Sequence, residues 1–286
     1  MDVTSVGVIG AGQMGSGIAH VASVAGWPVV VQDVAQAALD RAQKGIEANL
    51  GRQVKKELLT QAQAAEALAR IAFTTDLARV GESDLVIEAA TENVDLKHKI
   101  FANLSKAAKP GAILATNTSS ISITAIAART DRPDRVMGMH FMNPVPVMKL
   151  VELIRGLQTS DETFATVEAA TKRMGKTTVV ARDMPGFIVN RVLMPYINEA
   201  AYALQEGIGS AAEIDAGMKL GTNVPMGPLE LADFIGLDTC VAIMEVLRDG
   251  LGGDSKYRVC PLLTKHVEAG WLGRKTGRGF YTYGAK

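Results

Sequence analysis

The chain has 286 residues, 48% of them hydrophobic and 21% charged, and its 30 basic and 30 acidic side chains cancel at pH 7. That balance suits a globular protein with a sizeable core in one or two domains, and it argues against a general nucleic-acid binder or a membrane-surface protein. Cys240 and Cys260 have no neighbouring Cys/His spacing, so neither a disulfide framework nor a zinc site is expected; the expected setting is reduced and cytoplasmic, with no signal peptide or transmembrane helix.

The chain opens on an apolar run over residues 3–9 that ends in Gly10-Ala11-Gly12-Gln13-Met14-Gly15 and passes into helix-like sequence. In a strand–turn–helix of this kind Gly10 permits the tight turn, Gly12 lets a pyrophosphate approach the backbone, and Gly15 allows close packing of helix on strand. The phosphates would meet the N–H groups and positive dipole end of the helix. Three spaced glycines are a common pattern; the context is more specific. A second apolar run, Val29-Val30-Val31-Gln32, closes on Asp33, at the distance of about 20 residues where an acid accepts hydrogen bonds from an adenosine ribose. The order strand, turn, helix, strand, acid predicts a dinucleotide-binding unit. Asp33 followed by Val34 and Ala35, with no cation, predicts NAD over NADP.

Residues 16–25 read as a short helix ended by Gly26, and residues 35–69, rich in Ala, Gln, Lys, Glu and Leu without Pro, as one long helix or a helical pair. The Lys55-Lys56 pair there is either a solvated face or an anchor for an anionic group. Strands are expected at 71–73, 85–89, 112–115, 135–139, 150–154 and 177–181, with a helix over 94–108 broken by Pro110-Gly111. Three of these strands run into polar stretches: Thr91-Glu92-Asn93, Thr116-Asn117-Thr118-Ser119-Ser120, and His140-Phe141-Met142-Asn143-Pro144. Ligands of open parallel sheets bind at the carboxyl ends of the strands, which places Glu92 and its counterparts in the right zone. The fold class is therefore α/β, a Rossmann-type mostly parallel sheet with a long helical insertion over residues 1–184, followed by an all-α domain over residues 185–286. The change comes at Asp183-Met184-Pro185-Gly186. Beyond it, 187–206, 211–220, 227–233 and 239–248 read as helices, with Phe187, Leu193, Ile197 and Leu204 as apolar anchors. The tail 270–279, carrying Arg274, Lys275 and Arg278, reads as a mobile segment that folds over a ligand or lies in solvent.

His140 is expected as the first residue after its strand, at the sheet edge; alone it is either a buried imidazole bonded to backbone or an acid/base. Glu152 stands inside Leu150-Val151-Glu152-Leu153-Ile154, where an ionised carboxylate is costly unless paired. With His140 as its partner, Glu152 would fix the imidazole tautomer and support its charged form; with another partner it is a structural ion pair. Ser119 is either the cap of a helix starting near Ser120 or a substrate contact. Asn190 falls about one turn into a helix that opens at Pro185-Gly186, where Asn is a poor helix former. Both side chains could address a substrate oxygen, one from each domain.

Taken together, Gly10–Gly15, Asn117-Thr118-Ser119-Ser120, His140-Phe141-Met142-Asn143-Pro144 and Pro185-Gly186-Phe187-Ile188-Val189-Asn190-Arg191 resemble the L-3-hydroxyacyl-CoA dehydrogenase family, over nearly the whole chain from Val6 to the Lys275–Gly277 tail. The resemblance implies an NAD-dependent oxidoreductase of acyl-CoA metabolism, working on 3-hydroxyacyl-CoA without a metal, and a homodimer formed through the helical domain. It implies His140 as acid/base, Glu152 as its partner, and Ser119 and Asn190 as substrate-positioning residues. Gly10, Gly12, Gln13, Met14, Gly15, Asp33, Glu92, Lys97, Asn117, Ser119, Asn143 and Lys275 match cofactor-contacting positions, and Lys56 matches a region that meets coenzyme A phosphates. Two rival readings are another two-domain hydroxyacid dehydrogenase, which would lean on a lysine in the second domain, and a non-catalytic NAD-binding protein.

Overall fold

A computed structural model describes residues 2–284. The chain divides between Met184 and Pro185 into two compact units. In the first, eight strands form one sheet: β1 (Val6–Ile9), β2 (Val29–Gln32), β3 (Ile71–Thr74), β4 (Leu85–Glu88), β5 (Ile113–Thr116), β6 (Val136–Phe141), β7 (Leu150–Arg155) and β8 (Thr177–Arg182). Their order is β3-β2-β1-β4-β5-β6-β7-β8. β1 to β6 are parallel in the 3-2-1-4-5-6 order of a dinucleotide-binding sheet. β7 turns back antiparallel to β6, and β8 runs parallel to β7. The link 142–149 is too short for the helical crossover that a parallel neighbour needs, about a dozen residues or more, so the chain returns beside itself.

The helices of this unit are α1 (Gln13–Val24), α2 (Gln36–Lys55), α3 (Gln61–Ala69), α4 (Leu77–Gly81), α5 (Val94–Ala107), α6 (Ile123–Ala127) and α7 (Asp161–Arg173). Strands β1, β4 and β5 are buried along their full length, as a sheet covered on both faces requires. The insertion is a helical pair. Thr60 accepts from the Gln63 main chain while the Gln63 side chain accepts from the Thr60 N–H, a capping box that starts α3 after α2 has ended. Strand β4 and the residues before β1 are locked by Asp84, which accepts from the main chain of Thr4 (2.8 Å) and Ser5 (3.1 Å) and pairs with Lys109 (2.6 Å).

The second unit is helical: α8 (Val189–Gln205), α9 (Ala211–Thr222), α10 (Pro228–Ile235), α11 (Leu237–Gly250) and α12 (Pro261–Glu268). Helix α12, begun by Pro261 at its first position, is absent from the sequence expectation. Its core holds Met194, Ile197, Leu237, Met244 and Tyr257, with Leu193 and Leu204 packed against it. The tail does not lie out in solvent. Asp233, fully buried at the end of α10, accepts from the N–H groups of Phe280 and Tyr281 (2.9 Å each) and from the Tyr283 hydroxyl (3.0 Å). Gly273 and Gly279 pass so near that a Cβ on either would lie 2.3 and 1.9 Å from atoms of Asp233. A buried carboxylate that needs donors thus holds the tail onto the helices. Among the described residues no helix is long and apolar enough to cross a membrane.

Candidate active site

The glycine turn shows why each glycine is there. Gly10 has φ +98°, and a Cβ on it would lie 2.7 Å from the Ala89 carbonyl oxygen; a Cβ on Gly15 would lie 1.8 Å from the Gly10 carbonyl oxygen. Those two are glycine for the fold itself. Gly12 differs: it is exposed, its φ is an ordinary −72°, and a Cβ there would meet nothing within 4 Å. Gly12 also caps α1 and, having no side chain, makes no cap bond to the N–H groups of that first turn. Gln13 is exposed beside it and Met14 packs against the core. Asp33, at the end of β2, accepts from the Ala11 N–H at 2.8 Å and from the Ala35 N–H at 3.0 Å, so it also braces the turn. An open glycine cradle at an uncapped helix start, with a carboxylate at the next strand end, fits a dinucleotide.

At the ends of β4 and β5 the carboxylate of Glu92 gathers the polar loop. Its Oε1 accepts from the Ser119 N–H (2.8 Å) and from the hydroxyls of Thr118 (2.7 Å), Ser119 (3.0 Å) and Ser120 (2.9 Å). Lys97 is only 1% exposed; it pairs with Glu88 at 2.6 Å and lies 3.9 Å from Glu92. Glu88 also accepts from the Thr116 hydroxyl at 2.8 Å. Sequence reasoning missed Glu88, although Leu85-Val86-Ile87-Glu88 carries the signal that singled out Glu152, a carboxylate in an apolar strand. The cap of α6 is Ser122, accepting from the Ala125 N–H; Ser119 caps no helix, because α6 starts three residues later than expected.

His140 is corrected in position: it lies inside β6, one residue before the strand ends, and is 7% exposed. Antiparallel pairing sets it opposite Glu152 of β7. Residues facing each other across a strand pair project to the same side of the sheet. Nδ1 of His140 lies 2.7 Å from Oε2 of the fully buried Glu152. The carboxylate accepts the Nδ1 proton, which fixes the imidazole tautomer. Asn117 accepts from the Phe141 N–H at 2.8 Å and so ties the end of β5 to the histidine strand; Asn143 is exposed in the loop that follows.

In the second unit Asn190 is the second residue of α8, in its first turn and not a turn further in, because Pro185 to Ile188 precede the helix; it is 9% exposed. Lys275 sits in a short turn over Arg274–Thr276 and binds both oxygens of Asp238, at 2.5 and 2.7 Å. Lys56 is exposed at the end of α2 in the first unit.

A sheet of this order, with its open glycine turn and a buried His–Glu pair on the strands β6 and β7, defines a dinucleotide-binding α/β protein. Comparison with known proteins sharpens the class. The model of the 3-hydroxyacyl-CoA dehydrogenase NAD binding domain matches residues 5–184, and that of the 3-hydroxyacyl-CoA dehydrogenase C-terminal domain matches residues 186–283. A 3-hydroxybutyryl-CoA dehydrogenase of Bradyrhizobium diazoefficiens is 58% identical, over 99% of this chain and 97% of its own. The mitochondrial hydroxyacyl-coenzyme A dehydrogenase of Homo sapiens is 44% identical, over 98% and 91%. Among solved structures, (S)-3-hydroxybutyryl-CoA dehydrogenase from Ralstonia eutropha superimposes with a TM-score of 0.96 at 54% identity, over 99% of this chain and all of that one. The chain belongs to the 3-hydroxyacyl-CoA dehydrogenase family.

Proposed function

We propose that the protein interconverts (S)-3-hydroxyacyl-CoA and 3-oxoacyl-CoA with NAD, and that its working pair is 3-hydroxybutyryl-CoA and acetoacetyl-CoA. The observation that carries this reading is the buried contact of His140 with Glu152 across the strands β6 and β7 of a dinucleotide-binding sheet. The glycine turn and Asp33 would hold NAD, which would supply the hydride acceptor or donor for the substrate C3. In the oxidation His140 takes the 3-hydroxyl proton at Nε2, and Glu152 stabilises the imidazolium that results; in the reduction His140 gives that proton back. Ser119 and Asn190 hold the oxygen substituents, a contribution of orientation. Gly10, Gly12, Gln13, Met14 and Gly15 form the cofactor turn, and Asp33 takes the ribose. Glu92, Lys97, Asn117, Ser119, Asn143 and Lys275 complete the cofactor contacts, several of them by fixing one another. Lys56 meets coenzyme A phosphates.

The first unit serves as the cofactor domain and the second binds substrate and forms a homodimer, in the cytoplasm. The high identity to named 3-hydroxybutyryl-CoA dehydrogenases supports the short-chain substrate. Mixing the protein with NADH and acetoacetyl-CoA should lower the NADH absorbance with saturation in both; no consumption of NADH would refute the activity. Light scattering should give the mass of two chains.

A further inference from the structure

A cavity of about 340 Å³ in the first unit lies apart from the His–Glu pair, bounded by α1, the loop 142–149 and the end of α7. Its charged lining is one-sided: Lys149, Arg173 and Lys176 face it together with His20, and no carboxylate is among its lining residues. Lys149 and Arg173 are exposed, but Lys176 is only 9% exposed. The Lys176 ammonium donates to the Val145 carbonyl and, at 2.8 Å, to the Met148 carbonyl. An ammonium has three N–H donors, so two carbonyls do not exhaust it, and neutral oxygens do not supply a counter-charge. A buried cation with no carboxylate beside it is costly.

His20 carries a second unsatisfied valence. It is 1% exposed, its Nε2 lies 2.9 Å from Oε1 of Gln53, and its buried Nδ1 has no hydrogen-bond partner among the described residues. Buried polar atoms are nearly always partnered, so an orphan beside a cation-rich cavity asks for a ligand. Burial lowers the His20 pKa, Gln53 opposes this, and the Lys176 charge adds to it. An arriving anion would offset both effects.

We infer that this cavity binds a phosphate-bearing anion, held by Lys176 and His20 inside and by Lys149 at the rim. A hydrogen phosphate offers acceptor oxygens and negative charge to the Lys176 and Lys149 ammonium groups, in charge-assisted bonds of the strong kind, and its P–O–H donates to the His20 Nδ1, which is an acceptor while Nε2–H donates to Gln53. Gln53 belongs to α2, three residues before Lys56, so the cavity borders the helix proposed to meet coenzyme A. The phosphate therefore comes either from the coenzyme A part of the substrate, an assignment that rests on the proposed activity, or from a separate phosphorylated metabolite.

Calorimetric titration of the full chain with adenosine 3′,5′-bisphosphate and, separately, with inorganic phosphate, at ionic strength held constant with NaCl, tests the site without turnover. Saturable binding of at least one probe is expected, weakened about tenfold by Lys149→Ala, the loss of one charge-assisted contact. Lys176→Met should weaken it further; Lys149→Ala, on the exposed rim, decides the matter if that variant fails to fold. Competition of the bisphosphate with acetoacetyl-CoA assigns the site to the substrate, and binding that leaves the KM for acetoacetyl-CoA unchanged assigns it to a separate metabolite. No saturable heat from either probe, or equal binding by wild type and Lys149→Ala, overturns the proposal. Binding without any turnover would count against the activity and not against the cavity.

Discussion

Nδ1 of His140 and Oε2 of Glu152 lie 2.7 Å apart because their residues face each other across the antiparallel pair β6–β7. A strand pair imposes that proximity more rigidly than a loop can, since neither residue can move without shifting the register of the whole sheet edge. The pair is buried, so the Glu152 carboxylate meets the imidazole at close range in a polar contact shielded from bulk solvent.

His140→Gln should keep the fold and NADH binding and lose on the order of 10²- to 10⁴-fold in turnover, the range for a positioned acid/base. Glu152→Gln should also lower turnover, and the double variant should lose much less than the product of the two single losses, because the residues act as a unit. If Glu152 only supports its strand, its substitution will lower the Tm and leave turnover per folded molecule intact. Steady-state kinetics and melting of all three variants separate the two outcomes.

Gly12→Ala and Gly15→Ala should behave oppositely. A methyl on Gly12 meets nothing within 4 Å in the protein, so the Tm should move little while the NADH Kd rises at least about tenfold as the cradle fills. A methyl on Gly15 lies 1.8 Å from the Gly10 oxygen, so the backbone must shift, at a cost of about 1–3 kcal/mol or more. Fluorescence titration with NADH beside thermal melts checks both.

Asp33→Ala should weaken NADH binding and narrow the preference over NADPH, since it removes an acceptor for the ribose and the repulsion of a 2′-phosphate. It also removes the bond to the Ala11 N–H, so a modest fall in Tm should accompany the change. Comparable kcat/KM of the wild type with NADH and NADPH would contradict the cofactor assignment.

Lys56→Ala should raise the KM for acetoacetyl-CoA more than for a truncated thioester and leave the cofactor KM unchanged. Loss of a phosphate contact should also flatten the salt dependence of the CoA substrate's KM. Identical kinetics would return this exposed lysine to a solvated face.

Asp84 supplies a pH prediction. Burial would raise its pKa, but the bonds from Lys109 and Thr4 outweigh that and hold the carboxyl well below its usual value. With the folded value depressed, its stabilisation is present in full above the ordinary carboxylate pKa of about 4 and is lost as the pH falls from there through the folded value. Asp84→Asn should therefore cost about 1–3 kcal/mol at pH 7, with a smaller difference from wild type in strongly acidic solution. Denaturant unfolding at both pH values measures it; an equal difference at both would refute the linkage.

The sequence by itself determined what depends on neighbours in the chain. Gly10, Gly12 and Gly15 follow a strand and open a helix, Asp33 ends the next strand, and alternating apolar and helical stretches stop at Asp183; each is a local pattern whose periodicity is visible residue by residue. The tertiary structure decided what depends on pairing and burial. The position of His140 within β6 came from β7 turning back, which extends hydrogen bonding past the apolar run that marked the strand. Glu92 meets Ser119 because the parallel strands β4 and β5 bring their carboxyl ends together, and Glu88 meets Lys97 where α5 folds back over the end of β4. Ser122 and not Ser119 caps α6, since Glu92 occupies the Ser119 hydroxyl and N–H and the helix begins beyond it. The tail around Lys275 is held by Asp233, whose need for donors appears only once it is fully buried. A carboxylate in an apolar run announces that it needs a partner; which partner it finds is fixed by strand register and packing across tens of residues, which no local pattern contains.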